Sequence, residues 1–133
     1  MIELISRWLA AVCKHDVNQV LSLYCSDAVL LGTFAEDIKQ GQELIGYFRK
    51  FLSKTSLCGQ IDTCIMQQTA SGPVLSGTYT FWWLGQMGPE EERARFTFVF
   101  VEVGDDFLIL NHHSSVVPRP VDESDPTKAL ARR

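Results

Sequence analysis

The chain has 133 residues, 46% of them hydrophobic and 11% aromatic, and carries a formal net charge of −4. That is the length of one domain with enough apolar content for one core, which excludes a wholly disordered chain. The acidic balance gives no broad attraction to nucleic acid, and no run of about 18 apolar residues is present to cross a membrane as a helix.

Ile2, Ile5, Leu9 and Val12 recur at three- and four-residue intervals, and Trp8 widens the stripe, so the chain opens on an amphipathic helix. Glu3 and Arg7 interrupt what a secretory leader would keep apolar, which points to a cytoplasmic protein. Cys13, Cys25, Cys58 and Cys64 show no CxxC spacing; zinc and thioredoxin-type motifs are unsupported, and the expectation is four reduced, buried thiols. Asp16 fits an N-cap for a second helical face of Val17, Val20, Leu21 and Tyr24. Ser26-Asp27 makes a turn before a short apolar run over 28–31. Gly41 opens a third helix carrying Leu44, Ile45, Phe48, Phe51 and Leu52.

After Lys54 the period changes to two. Strands are expected over 59–68, with Ile61, Thr63 and Ile65 on one face, then over 74–84, 92–103 and 107–117. The turns are 71–73, a hairpin loop over 85–91, and Gly104-Asp105-Asp106. Pro118 and Pro120 stop the last strand, and 119–133 reads as a polar tail. Helices first and an antiparallel meander second make an α+β domain over 1–118. Phe96, Phe98 and Phe100 alternate with Thr97, Val99 and Val101, so both sheet faces are apolar. The second face would be covered by a partner copy, as a homodimer or larger homo-oligomer.

Chemistry-bearing residues are few. His112 and His113 are adjacent in the last strand, so they point to opposite faces. Either His112 with Ser114 or His113 with Ser115 faces the helices; alternatively, the polar run from Asn111 is a strand end emerging into solvent. His15 lies far along the chain, so a three-histidine zinc site is not expected, and no metal or other cofactor is implied. Arg93 and Arg95 share a strand face and would pair with carboxylates. Thr33 reads as a loop hydroxyl and Tyr47 as a packing ring. There is no GxSxG, Gly-rich phosphate loop or HExxH.

The segment 94–100 followed by 108–118 with His112-His113-Ser114-Ser115, taken with a helical 21–31 stretch and Tyr47-Phe48, resembles the nuclear transport factor 2-like superfamily. More narrowly, it is similar to bacterial relatives of the calcium/calmodulin-dependent kinase II association (hub) domain. The His-His-Ser-Ser signature before proline is shared with iota-class carbonic anhydrases. The resemblance covers roughly 2–118 and implies a cystatin-like cone: a curved sheet wrapped around N-terminal helices, with a pocket between. It implies a dimer through the open sheet face. It also implies a metal-independent lyase interconverting carbon dioxide and bicarbonate, in which Thr33, Tyr47 and Ser114 hold the anion and His112 stands close by. Without a metal to activate water, the available base would be His112, acting directly or through Tyr47. The sequence departs from that pattern at Asn111, where a third histidine is usual, and in a longer 85–91 loop. Two other functions fit the same superfamily. One is a non-catalytic oligomerisation module. The other is a SnoaL-like isomerase or cyclase, which needs a pocket carboxylate that only Asp37 or Asp62 could supply.

Overall fold

A computed structural model describes residues 2–119, so the expected tail lies, beyond Arg119, outside the described residues. The fold is α+β: N-terminal helices against a curved, open sheet of six strands. Helix α1 (Ile2–Cys13) buries Leu4, Ile5, Trp8, Leu9 and Val12, the three- and four-residue stripe read from the sequence. Helix α2 (Val17–Ser22) is capped by Asp16, whose Oδ1 accepts the Gln19 amide at 3.0 Å. Strand β1 (Tyr24–Leu31), the two-residue β2 (Lys39–Gln40) and helix α3 (Glu43–Phe51) follow. Four long strands complete the sheet: β3 (Cys58–Gln68), β4 (Pro73–Gly85), β5 (Gly88–Val103) and β6 (Asp106–Val116).

The strand order is β2-β1-β6-β5-β4-β3. Neighbours are antiparallel except β1 and β6, which run parallel with Leu30 opposite His112 and Leu31 opposite His113. The four-strand meander expected from sequence is present, but β1 and β2 extend it. Residues 24–31 are strand, not helix and turn: Tyr24, Ala28 and Leu30 are buried by the sheet's inner face. A helical spacing of apolar residues over one turn does not distinguish the two, and pairing with β6 decides it.

Three other details differ from expectation. The 85–91 segment is mostly strand; Gly85 pairs with Gly88, leaving only Gln86-Met87 in the turn, where Gly88 has φ 118°. In β3 the register shifts between Ile61 and Thr63, so Ile61 and Cys64 pack on the core while Ile65 is exposed. Cys13 and Cys58 form a disulfide, with Cα atoms 4.3 Å apart, so the expectation of four reduced thiols is wrong for this pair. The end of α1 packs beside the start of β3, and a sequence separation of 45 conceals that proximity. Cys25 and Cys64 are free.

The core is aromatic. Trp8 meets Tyr79, Phe81 and Phe98 at ring-centroid distances of 5.4–6.2 Å, joining α1 to β4 and β5. On the outer face Thr97, Val99 and Val101 are only half-buried.

Closing a 45-residue span in the unfolded chain, the Cys13–Cys58 bond should stabilise the fold by about 2–4 kcal/mol. Urea unfolding of Cys13→Ala/Cys58→Ala should show that loss, and reductant should bring the wild-type midpoint down to the same value. A wild-type midpoint indifferent to reductant would mean the bond does not form.

Candidate functional site

The parallel β1–β6 register builds the site. Because Leu30 and Leu31 lie opposite His112 and His113, the chain leaving β1 carries Thr33 to Ser114. Strand alternation turns His112 and Ser114 inward, where both are buried, and leaves His113 exposed. Of the two pairs the sequence left open, His112 and Ser114 face the helices. The polar run is therefore not a strand end emerging into solvent.

Ser114 Oγ is hydrogen-bonded to Thr33 Oγ1 and accepts from the Tyr79 hydroxyl at 2.6 Å. The Tyr47 hydroxyl lies against Thr33 and the Phe34 backbone. All four residues singled out by the sequence, Thr33, Tyr47, His112 and Ser114, line one small cavity with Trp8, Tyr79 and Phe81. It holds about 10 Å³, the space of one water. Tyr47 forms a wall of it by lying on Gly32, where a Cβ would come within 2.4 Å of the tyrosine ring. Two open grooves flank this wall. One, of about 380 Å³, runs along Tyr47, Phe51 and Phe34; the other, of about 350 Å³, reaches Thr33 and Ser114 around the end of β1.

Sequence reasoning missed three members of the site. Trp8 Nε1 donates to the Tyr24 hydroxyl at 2.9 Å, the Tyr24 oxygen is 2.8 Å from His112 Nδ1, and the Tyr79 oxygen is 3.2 Å from His112 Nε2. Tyr79 has one hydroxyl proton and gives it to Ser114, so it accepts from His112 Nε2. Nδ1 is then unprotonated and accepts from the Tyr24 hydroxyl, which itself accepts from the Trp8 indole. The only available signal for Tyr79 was alternation with the inward Phe81, and Tyr24 was hidden by its helical reading.

Burial dominates the electrostatics. It pushes the His112 imidazole down to about 3, with the neighbouring His113 charge a lesser cause. It pushes Tyr47 up to about 12, although the Phe34 and Thr33 backbone and the Thr33 hydroxyl oppose the rise, and it raises Tyr24 and Tyr79 as well. At neutral pH the cavity is therefore lined by neutral donors. His112 has both ring nitrogens engaged, Nδ1 with Tyr24 and Nε2 with Tyr79.

The remaining polar candidates lie elsewhere. Asp37 lines the outer grooves, and Asp62 accepts from Thr80 at 2.6 Å, outside the cavity. His15 sits 2.9 Å from the Leu57 carbonyl. Arg93 and Arg95 are exposed. Among the described residues no group of three or more His, Cys, Asp or Glu side chains is placed to hold a metal ion.

The sequence profile of the SnoaL-like domain matches residues 2–120. The chain belongs to the SnoaL-like domain family. Among solved structures, this domain is similar to a protein of Xanthomonas campestris assigned as a calcium/calmodulin-dependent protein kinase II association domain (32% identity, TM-score 0.81, covering 88% of this chain and 85% of that one). The S. rosetta hub of the same kinase shares its fold at 15% identity (TM-score 0.75, 87% and 93% covered). So does a protein of Streptomyces avermitilis assigned as a dehydratase of the nuclear transport factor 2-like family (13% identity, TM-score 0.79, 87% and 93% covered). No curated protein sequence matches the chain.

The depressed His112 value makes a stability prediction. Unfolding returns the imidazole to its ordinary value of 6.5, so the unfolded chain binds a proton that the folded chain refuses between about pH 6.5 and 3. This contribution is complete above pH 6.5 and is lost as pH falls towards 3. It should amount to about 2–3 kcal/mol between pH 7 and 4.5. Urea unfolding of His112→Gln should lack that acid-dependent component; equal pH dependence in variant and wild type would refute the buried neutral imidazole.

Proposed function

We propose that this domain interconverts carbon dioxide and bicarbonate without a metal, in the hydroxyl-lined cavity of Thr33, Tyr47, Tyr79 and Ser114. The observation that carries the reading is the convergence of the Thr33, Ser114 and Tyr79 hydroxyls in one hydrogen-bonded cluster, with Tyr47 against Thr33. A buried planar anion needs donors on its oxygens and no fixed negative charge beside it. Neutral hydroxyls supply the donors, and among the described residues the cavity lining contains no carboxylate. The same donors would stabilise charge arriving on a carbon dioxide oxygen as water adds to carbon. Because the cavity has room for one water, substrate entry requires Tyr47 or the 32–38 segment to give way.

That lining argues against isomerase or cyclase chemistry through a pocket carboxylate, since Asp37 and Asp62 lie outside it. The second reading is a non-catalytic assembly module. It is favoured by the likeness to the Xanthomonas association domain and by the half-buried outer face around Thr97, Val99 and Val101, which would pack against another copy. The two readings share the assembly and differ in the chemistry.

Stopped-flow carbon dioxide hydration on chelator-treated protein tests the first reading. Ser114→Ala, which removes a donor to the developing oxyanion, should lower the rate about 10²-fold. Tyr47→Phe should lower it comparably if the hydroxyl touches the anion. Wild-type protein that assembles into oligomers by light scattering but hydrates carbon dioxide no faster than buffer would leave only the assembly reading.

A further inference from the structure

For the proposed hydration, on which this inference rests, the cavity must widen, because it has room for only one water. Tyr47 is carried on helix α3, and its ring stacks on Phe51 with centroids 5.9 Å apart. Against it lies the segment 32–38, which leaves β1 at Leu31 and reaches β2 at Lys39. Among the described residues this segment makes one backbone–backbone bond, from the Ala35 amide to the Gly32 carbonyl at 3.3 Å. No sheet pairing holds it down, so its opening is governed by side chains.

We propose that residues 32–38 are a lid on the cavity and that Lys54 is its latch, holding Phe34 in place by cation–π contact. The Lys54 ammonium stands 4.8 Å from the centroid of the Phe34 ring and 4.7 Å from that of Trp83. One cation therefore bridges a ring on the lid and a ring on β4. Phe34 also meets Trp83 edge-on at 5.7 Å and lies 5.8 Å from Phe51. Because Phe34 directly follows Gly32-Thr33, lifting its ring draws Thr33 away from Ser114 and Gly32 away from the Tyr47 ring. Those two contacts are the ones that narrow the cavity. The latch can release because it lies at the surface: Phe34 is 39% exposed and Lys54 half-buried. A cation–π contact in that setting is weak enough to leave an open state populated. Glu36, Asp37, Lys39 and Lys50 line the same groove, and among the described residues neither carboxylate is ion-paired with Lys54. The ammonium is left to the rings.

Amide hydrogen exchange of the native protein, resolved along 32–38, reads the latch directly. Lys54→Met keeps the length of the stem and removes the charge. It should speed exchange in the segment roughly 5- to 10-fold, while the amides of β4 and β5 keep their rates. Lys54→Arg should exchange as wild type does, since a guanidinium also sits over aromatic rings. Lys50→Met removes a charge from the same groove that, among the described residues, sits over no ring, and it should change nothing. Equal exchange in Lys54→Met and wild type overturns the latch, and so does the same acceleration in Lys50→Met. Carbon dioxide hydration then tests the lid. A loosened segment admits water among the donors, so kcat should fall several-fold in Lys54→Met and be kept in Lys54→Arg. Faster exchange with unchanged kcat overturns the lid. Wild-type protein without hydration activity refutes the hydration reading instead, and the exchange rates alone then decide the latch.

Discussion

A single buried imidazole, His112, ties the helical half of the molecule to the sheet. Its two nitrogens are bonded to Tyr24 on β1 and Tyr79 on β4, and Tyr24 is bonded in turn to Trp8 on α1. Each of these groups is in an environment where an unpaired polar atom would cost about 1–3 kcal/mol. Among the described residues no buried side-chain nitrogen or oxygen lacks a partner. The chain of bonds is directional because the Tyr79 hydroxyl gives its one proton to Ser114: it must accept from His112 Nε2, which leaves Nδ1 to accept from Tyr24. The direction ends on Ser114, beside Thr33.

The surroundings of this chain are aromatic. The Phe98 ring stacks on His112 with centroids 3.8 Å apart, and Trp8 meets it edge-on at 5.3 Å. Aromatic walls exclude water, keep the imidazole neutral and leave room for little more than one water molecule. A site of this kind can bind by donating hydrogen bonds.

The two faces of the sheet divide the possible functions. The inner face holds the hydroxyl cluster, and the outer face presents Thr97, Val99 and Val101 to whatever packs there. Both roles can coexist, since alternation along β5 and β6 assigns successive residues to opposite sides. Residues 112–115 show this most compactly: His112 and Ser114 serve the cavity, while His113 and Ser115 lie outside.

The sequence by itself determined what short-range physics controls. The α1 stripe, the Asp16 cap and the alternation of the long strands follow from periodicities of 3.6 and 2, which need no distant partner. The resemblance in the His112–Ser115 segment brought Thr33, Tyr47, His112 and Ser114 together, and the structure places all four around one cavity. What the sequence left open was set by pairing between distant segments. Tyr24 became strand because β6 lies beside it in parallel register. The bulge after Ile61 reversed the expected facing of Ile65. Cys13 met Cys58 because α1 ends over the start of β3. The environment of His112 was set in the same way, by the packing of Tyr24, Tyr79 and the surrounding rings around it. Desolvation, a property of the whole tertiary environment, then removes its charge.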